Sequence, residues 1–330
     1  MDNLLHGTGA IKDTPDERDY KWADHAKLAG VAQFDWEKGY DVEEDTGIKI
    51  TVKNQNGSSS CGGQAWAYYG QVLDPEHVEK SAKFIYANTN APGGGSAART
   101  NSDFVCKKGW GDESLTPSYM GTNLKIPPSE AFMTYKEDIT SEAYEKAILD
   151  KGLSYAYAKI NIDEIAQAIA NNKGCIIGIS GQNNGTWRTK FPQKPAIIDN
   201  TSWSHWVYCG KAKMIDGKKY IGFINSWGED VGDEGWQWIS EDYINMKYAI
   251  WCATTLVYDF QKFKFTKTLK FGSTGNEVKE LQKALGVIQT GNFLWLTFNA
   301  VKSFQKLHGL LPDGIVGEKT RSILNELLKN

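Results

Sequence analysis

The 330-residue chain has no run of about 18 consecutive apolar residues, so a membrane-spanning helix is not expected. Its first residues, MDNLLHGTGAIKDTPDERDY, lack a basic start followed by an apolar stretch and do not read as a secretory leader. No Cys-x-x-Cys or His-x-x-x-His spacing occurs, which argues against a bound metal, and no cofactor is expected. No RNA- or DNA-binding motif accompanies the lysines, so nucleic acid is a poor candidate partner. Cysteine is sparse and odd in number: Cys61, Cys106, Cys175, Cys209 and Cys252. Cys175 and Cys252 lie inside apolar, strand-like runs and read as buried thiols.

What is present is enough apolar material, 41% of residues, to build a packed core, over a length that suggests two domains. The chemistry concentrates in three places. The run VKNQNGSSSCGGQAWAYYG carries Gln55 six residues before Cys61, where a Gly/Ser loop gives way to an apolar segment, Gln64 to Leu73, that reads as a helix. A helix N-terminus and a nearby imidazolium both favour thiolate over thiol. His205, in the apolar run SHWVYCG, can supply the imidazole, and the side-chain amide of Asn225 can hold that ring in one orientation. Gln55 can donate its amide N–H to an oxyanion beside the backbone N–H of Cys61. A lone histidine in an apolar strand is usually a satisfied core residue. Here NSWG follows twenty residues after His205, which favours catalysis.

VKNQ (Val52 to Gln55), the Gln-to-Cys spacing, His205 and NSWG (Asn225 to Gly228) together resemble the papain-like cysteine peptidases over roughly residues 31 to 260. FDW (Phe34 to Trp36) is similar to that family's start of the mature domain. The resemblance implies an α+β, two-lobed fold, with the nucleophile from a helical lobe and the base from a β-rich lobe. It implies Cys61, His205, Asn225 and Gln55 as catalytic residues and Gly94, Gly95, Ser204 and Trp227 as substrate-binding residues. Three positions depart from the pattern. Ser58 stands where a bridging cysteine is usual, so the chain looks made for a reducing compartment, with one disulfide among the four other cysteines left open. Gly62 replaces a tryptophan and is expected to open space beside the nucleophile. Val231 replaces a second tryptophan, leaving Trp227 to shield the Asn–His hydrogen bond. Residues 1 to 30 form an N-terminal arm that either packs on the surface or lies across the cleft as a plug. Gly181 to Trp203 is expected as a rim, its Trp187 and Trp203 either touching substrate or packing on the surface.

Beyond about residue 261 the texture changes. Residues 278 to 297 align without gaps to 301 to 320, so that Val278, Gln282, Gly286, Gly291 and Thr297 recur as Val301, Gln305, Gly309, Gly314 and Thr320. Each unit reads as a helix, a Gly-ended turn and a second helix opened by Thr. With GSTGNEVKELQKAL (Gly272 to Leu285) and DGIVGEKT (Asp313 to Thr320), the repeat resembles helical peptidoglycan-binding domains over roughly 267 to 328. Trp295, in the divergent turn GNFLWLT, is either an exposed platform for a sugar ring or a core residue. Residues 262 to 330 hold eleven Lys/Arg against five Asp/Glu, a net +6, and the total of −3 leaves −9 on the remainder. A basic module on an acidic partner suits an anionic polymer such as bacterial wall.

The expected protein is a cysteine endopeptidase working through a thioester, made without a leader and acting at the bacterial wall after release. Its partners would be peptide or peptidoglycan stem peptide, with the wall held by the C-terminal domain. The alternatives are a general protease tethered to the wall and an inactive wall-binding scaffold.

Overall fold

The structure, a computed structural model, describes residues 8–17, 19–119, 129–152, 154–182, 185–192, 203–246, 249–257, 264–285 and 287–327. The chain divides into two compact units, Met1–Tyr258 and Asp259–Asn330. No helix of the described residues is long and apolar enough to cross a membrane.

The first unit carries helices α1 (Trp22–Ala29), α2 (Val42–Thr46), α3 (Cys61–Leu73), α4 (Ala82–Thr89), α5 (Ala98–Lys108), α6 (Glu130–Thr134), α7 (Ser141–Ala147), α8 (Ile162–Asn172) and α9 (Glu241–Ile244). Its strands are β1 (Ala10–Ile11), β2 (Tyr40–Asp41), β3 (Ser96–Ala97), β4 (Ser154–Tyr157), β5 (Cys175–Gly181), β6 (Trp203–Ile215), β7 (Lys218–Ile224), β8 (Trp236–Ser240) and β9 (Ile250–Val257). Seven strands form one antiparallel sheet in the order β4-β9-β5-β6-β7-β8, with β2 added to β6.

The strands read as continuous apolar runs because both faces of this sheet are covered. Along β5, Cys175, Ile177 and Ile179 pack with Ile165 and Ile169 of α8, while Ile176 faces the opposite core with Trp66 and Tyr69 of α3. β6 divides likewise: Val207 and Cys209 go to the α8 side, Trp206 and Tyr208 to the α3 side. These are the two lobes, and β6 runs along their seam. The expected strand from His205 to Gly210 continues to Ile215. There Asp216 (φ 48°) and Gly217 (φ 75°) turn the chain into β7, as a two-residue hairpin requires. All five cysteines are free thiols, so the disulfide left open by the sequence does not form here.

The second unit has helices α10 (Asn276–Ala284), α11 (Trp295–Leu307) and α12 (Glu318–Leu327). The residues that recur at an offset of 23 do the same work twice. The buried Gln282 accepts from the Gly291 amide (2.8 Å) and donates to the Asn292 carbonyl and the Thr297 hydroxyl (2.9 Å each). Gln305 accepts from Gly314 (2.8 Å) and donates to the Ile315 carbonyl (2.8 Å) and Thr320 (3.1 Å). Each glutamine thereby ties a turn to the start of the next helix and satisfies buried polar groups that would otherwise be costly. The repeated Gly286 lies outside the described residues.

Candidate active site

Cys61 is the first residue of α3, three positions before the apolar pattern expected from Gln64, because Gly62 and Gly63 hide the first turn from a hydrophobicity reading. No side chain caps this helix at Ser60. The amides of Gly62 and of Cys61 itself turn instead toward the sulfur, joined by those of Trp206 and Gly9. Such donors favour thiolate. Burial outweighs them: Cys61 is fully enclosed, and its thiol is pushed up to about 12. Trp206, whose amide faces the sulfur, directly follows His205 in β6, and that is how the sheet lobe meets the nucleophile.

His205 is fully buried and stacked on Trp227, with ring centroids 4.8 Å apart at 26°. Its Nε2 lies 3.0 Å from Asn225 Oδ1. The orientation of this pair follows from groups that can only accept. Gln237 Nε2 donates to the carbonyls of Trp187 (2.9 Å) and Thr189 (2.7 Å), which turns Gln237 Oε1 toward Asn225. Asn225 Nδ2 donates to that oxygen (2.7 Å), which turns Asn225 Oδ1 toward the imidazole. An amide oxygen cannot donate, so His205 carries its proton on Nε2 and Nδ1 is the basic nitrogen. Gln237 is the member that sequence reasoning missed. Its only signal is a polar residue between Trp236 and Trp238 in a buried strand.

Gln55 is buried close by. Its Oε1 accepts from the Ser226 hydroxyl, and its Nε2 donates to the Ser58 carbonyl at 2.9 Å. Ser58, the departure from the bridging cysteine, bonds the Gln55 carbonyl (2.8 Å) and Ser60 (2.7 Å), so hydrogen bonds hold this loop where a disulfide would otherwise do so.

Gly62 corrects an expectation. A Cβ there would lie 2.2 Å from Ser96 Oγ and 2.7 Å from Asn101 Nδ2, so the glycine permits close packing of α3 on β3 and α5 and opens no space. The rim expectation also changes. Trp187 is 4% exposed and packs edge-on against Trp203 (4.6 Å), which meets Trp227 at 6.0 Å. These rings extend the cover over His205 that the absent second tryptophan was expected to give, and Val231 is buried in the same core. Residues 183–184 and 193–202 of that segment lie outside the described residues.

Gly94 and Gly95 have left-handed backbones (φ 95° and 81°), and the Gly95 amide donates to Tyr86 Oη at 2.7 Å. Tyr86 donates to Glu130 (2.6 Å), and Glu130 accepts from the Ser59 amide (2.6 Å), tying the glycine wall to the nucleophile loop. The arm lies along this wall. β1 runs parallel to β3, the Gly9 carbonyl accepts from Ser96 N (2.9 Å), and the Gly9 amide donates to the Ser204 carbonyl (3.3 Å) while facing the Cys61 sulfur. A Cβ on Gly95 would come within 2.5 Å of the Gly9 carbonyl oxygen. Ser204 thus meets the arm through its backbone carbonyl. Of the two readings of the arm, the segment around Gly9 follows the plug and not the surface-packed one. Behind it Arg99 pairs with Asp19 (2.7 Å) and its amide donates to Asp13 (3.0 Å).

Asp74, Asp112 and Asp150 also converge, but Lys80 fills their centre, paired with all three.

Comparison with known proteins agrees with this architecture. The chain matches xylellain, a cysteine protease from Xylella fastidiosa, at 21% identity and a TM-score of 0.61, over 76% of this chain and 96% of that one. Procathepsin B S9 from Trypanosoma congolense matches at 12% identity and TM-score 0.55 (76% and 85% covered). Digestive procathepsin L2 of Tenebrio molitor matches at 15% and 0.54 (77% and 75% covered). The first unit has the papain-like fold. Residues 274–324 match the family described as putative peptidoglycan binding domain. No match was found among curated proteins.

Proposed function

We propose that the chain is a cysteine endopeptidase of bacterial wall material, held at its polymer by the second unit and present here in a covered, latent form. The observation that carries the reading is Cys61 at an uncapped helix start, facing the amide next to a His205 whose tautomer is fixed through Asn225. In this reading Cys61 attacks a peptide carbonyl, while His205 Nδ1 takes the thiol proton and returns it to the leaving amine. Water then hydrolyses the thioester. Gln55 Nε2 and the Cys61 amide receive the oxyanion once substrate replaces the arm. Gly94, Gly95 and the Ser204 carbonyl offer the edge that an extended peptide would use, the edge Gly9 occupies now. We take residues 1–30 as the arm, 31–260 as the peptidase and 267–328 as the wall-binding domain, where the family match and the +6 charge support wall association and action outside the cytoplasm. Fusing a weak binder to an enzyme raises its effective concentration at the polymer.

The test is digestion of purified sacculi and of casein, with new amino termini identified by mass analysis. Wall fragments with free stem-peptide termini are expected, and they should vanish in Cys61→Ala while sedimentation with sacculi persists. Cleavage of casein alone would favour a general protease, and retained cleavage in the variant would reject the assignment.

A further inference from the structure

The second unit exposes aromatic surface that its fold does not use. Trp295 is 66% exposed, Phe271 45%, and Leu294 and Leu296 beside them are more than half exposed. Trp295 at the start of α11 is nevertheless held. It meets Phe271 at 4.9 Å and stands edge-on to Phe298 at 5.5 Å and 86°. Phe298 is pinned in turn, its ring lying 2.2 Å from where a Cβ on Gly314 would sit. The Gln282 bonds to Gly291, Asn292 and Thr297 fix the turn that presents these residues. An indole in a fixed orientation loses little freedom on binding. The core reading of Trp295 fails on exposure.

We infer that Phe271, Trp295 and Phe298 form a platform for one pyranose ring of an N-acetylated amino-sugar strand, the glycan part of the wall. This deepens the wall-binding reading above and rests on it. A pyranose ring has a face of C–H bonds that suits the negative face of an indole, and the acetamido methyl suits Leu294 and Leu296. The charge of the surroundings suits an anionic polymer. The unit carries +6, which suits wall glycan bearing carboxylates. Lys302 stands 5.7 Å from the Phe298 ring, at the edge of the platform. At the offset of 23 the positions of the three aromatics hold Leu294, Glu318 and Arg321, so the repeat does not reproduce the cluster.

The full chain carrying Cys61→Ala, to prevent digestion, is sedimented with purified sacculi and titrated with a soluble N-acetylglucosamine hexamer by tryptophan fluorescence. Adding Trp295→Ala should weaken both interactions about tenfold, the loss common for a truncated tryptophan anchor. Trp295→Tyr should retain most of the affinity, and the unfolding temperature should not move, since the ring is exposed. Unchanged sacculus binding in Trp295→Ala and Phe271→Ala overturns the platform while leaving wall binding intact. A parent that does not sediment with sacculi removes the wall reading itself. Loss of binding to free stem peptides in place of the hexamer, or of a dimer seen by sedimentation, would assign the surface to another ligand and equally overturn the proposal.

Discussion

Removing residues 1–12 should convert an inert thiol into a reactive one. The cut takes away Gly9 and β1 but leaves Asp13 and Asp19 on Arg99 and Trp22 in the core. In the covered state burial holds the Cys61 thiol at about 12. At about pH 8 only roughly one molecule in 10⁴ then carries thiolate, whereas an ordinary thiol near 8.5 is about one quarter ionised, roughly a 2,000-fold difference. A less basic thiolate is also less nucleophilic, by about 40-fold over this interval. The net acceleration of iodoacetamide labelling from ionisation and nucleophilicity together is therefore about 60-fold, and access to the sulfur adds to it. The assay is the pseudo-first-order rate of Cys61 alkylation, read by peptide mass in the full and shortened chains. The sign follows from the raised value: in the full chain labelling should keep rising with pH well past pH 8, and in the shortened chain it should level off earlier. Equal rates, with both chains folded, would refute the covering role of the arm.

Gln237→Leu should lower kcat by about tenfold to a hundredfold with little change in KM, since it releases Asn225 and lets the imidazole turn from the thiol. Gln237→Glu should not rescue it, because a carboxylate cannot donate to the carbonyls of Trp187 and Thr189; rescue would refute the orientation argument. Lys80→Met should destabilise the first unit by about 3–5 kcal/mol, as it leaves the aspartates Asp74, Asp112 and Asp150 facing one another with only Lys146 still paired to Asp112. Burial already raises Asp150 to about 6 against the pull of Lys80. Carboxylates raised above their unfolded values destabilise when ionised, so the deficit should shrink as pH falls from about 8 to about 5, and a pH-independent deficit in thermal melts would contradict this. Gln305→Ala should cost the second unit about 2–4 kcal/mol by orphaning the Gly314 amide and its partners, read as an earlier melting transition of that unit.

Much of this was legible in one sequence because the information is local. The helix expected from Gln64, the β5 and β9 runs and the repeat at 23 residues are patterns of residue type and spacing, and the proposed Gln55, Cys61, His205 and Asn225 set was picked out by motif spacing. The paired glutamines show why: each repeated position answers a polar group a few residues away, so the pattern survives in the chain itself. The Asp216-Gly217 hairpin was equally local, yet the strand reading stopped at Gly210. What only the tertiary structure decided involves groups brought together from distant segments. Gly62 looks like a gap in sequence and is a point of close packing, because Ser96 and Asn101 arrive from β3 and α5. Gln237 has no motif, since its role exists only where the carbonyls of Trp187 and Thr189 and the amide of Asn225 converge. Whether the arm covers the thiol depended on Gly9 reaching Ser96 and Ser204, and whether Trp295 is core or surface depended on how α11 lies in its unit. Residue type limits what a side chain can do, and packing sets which partners it meets.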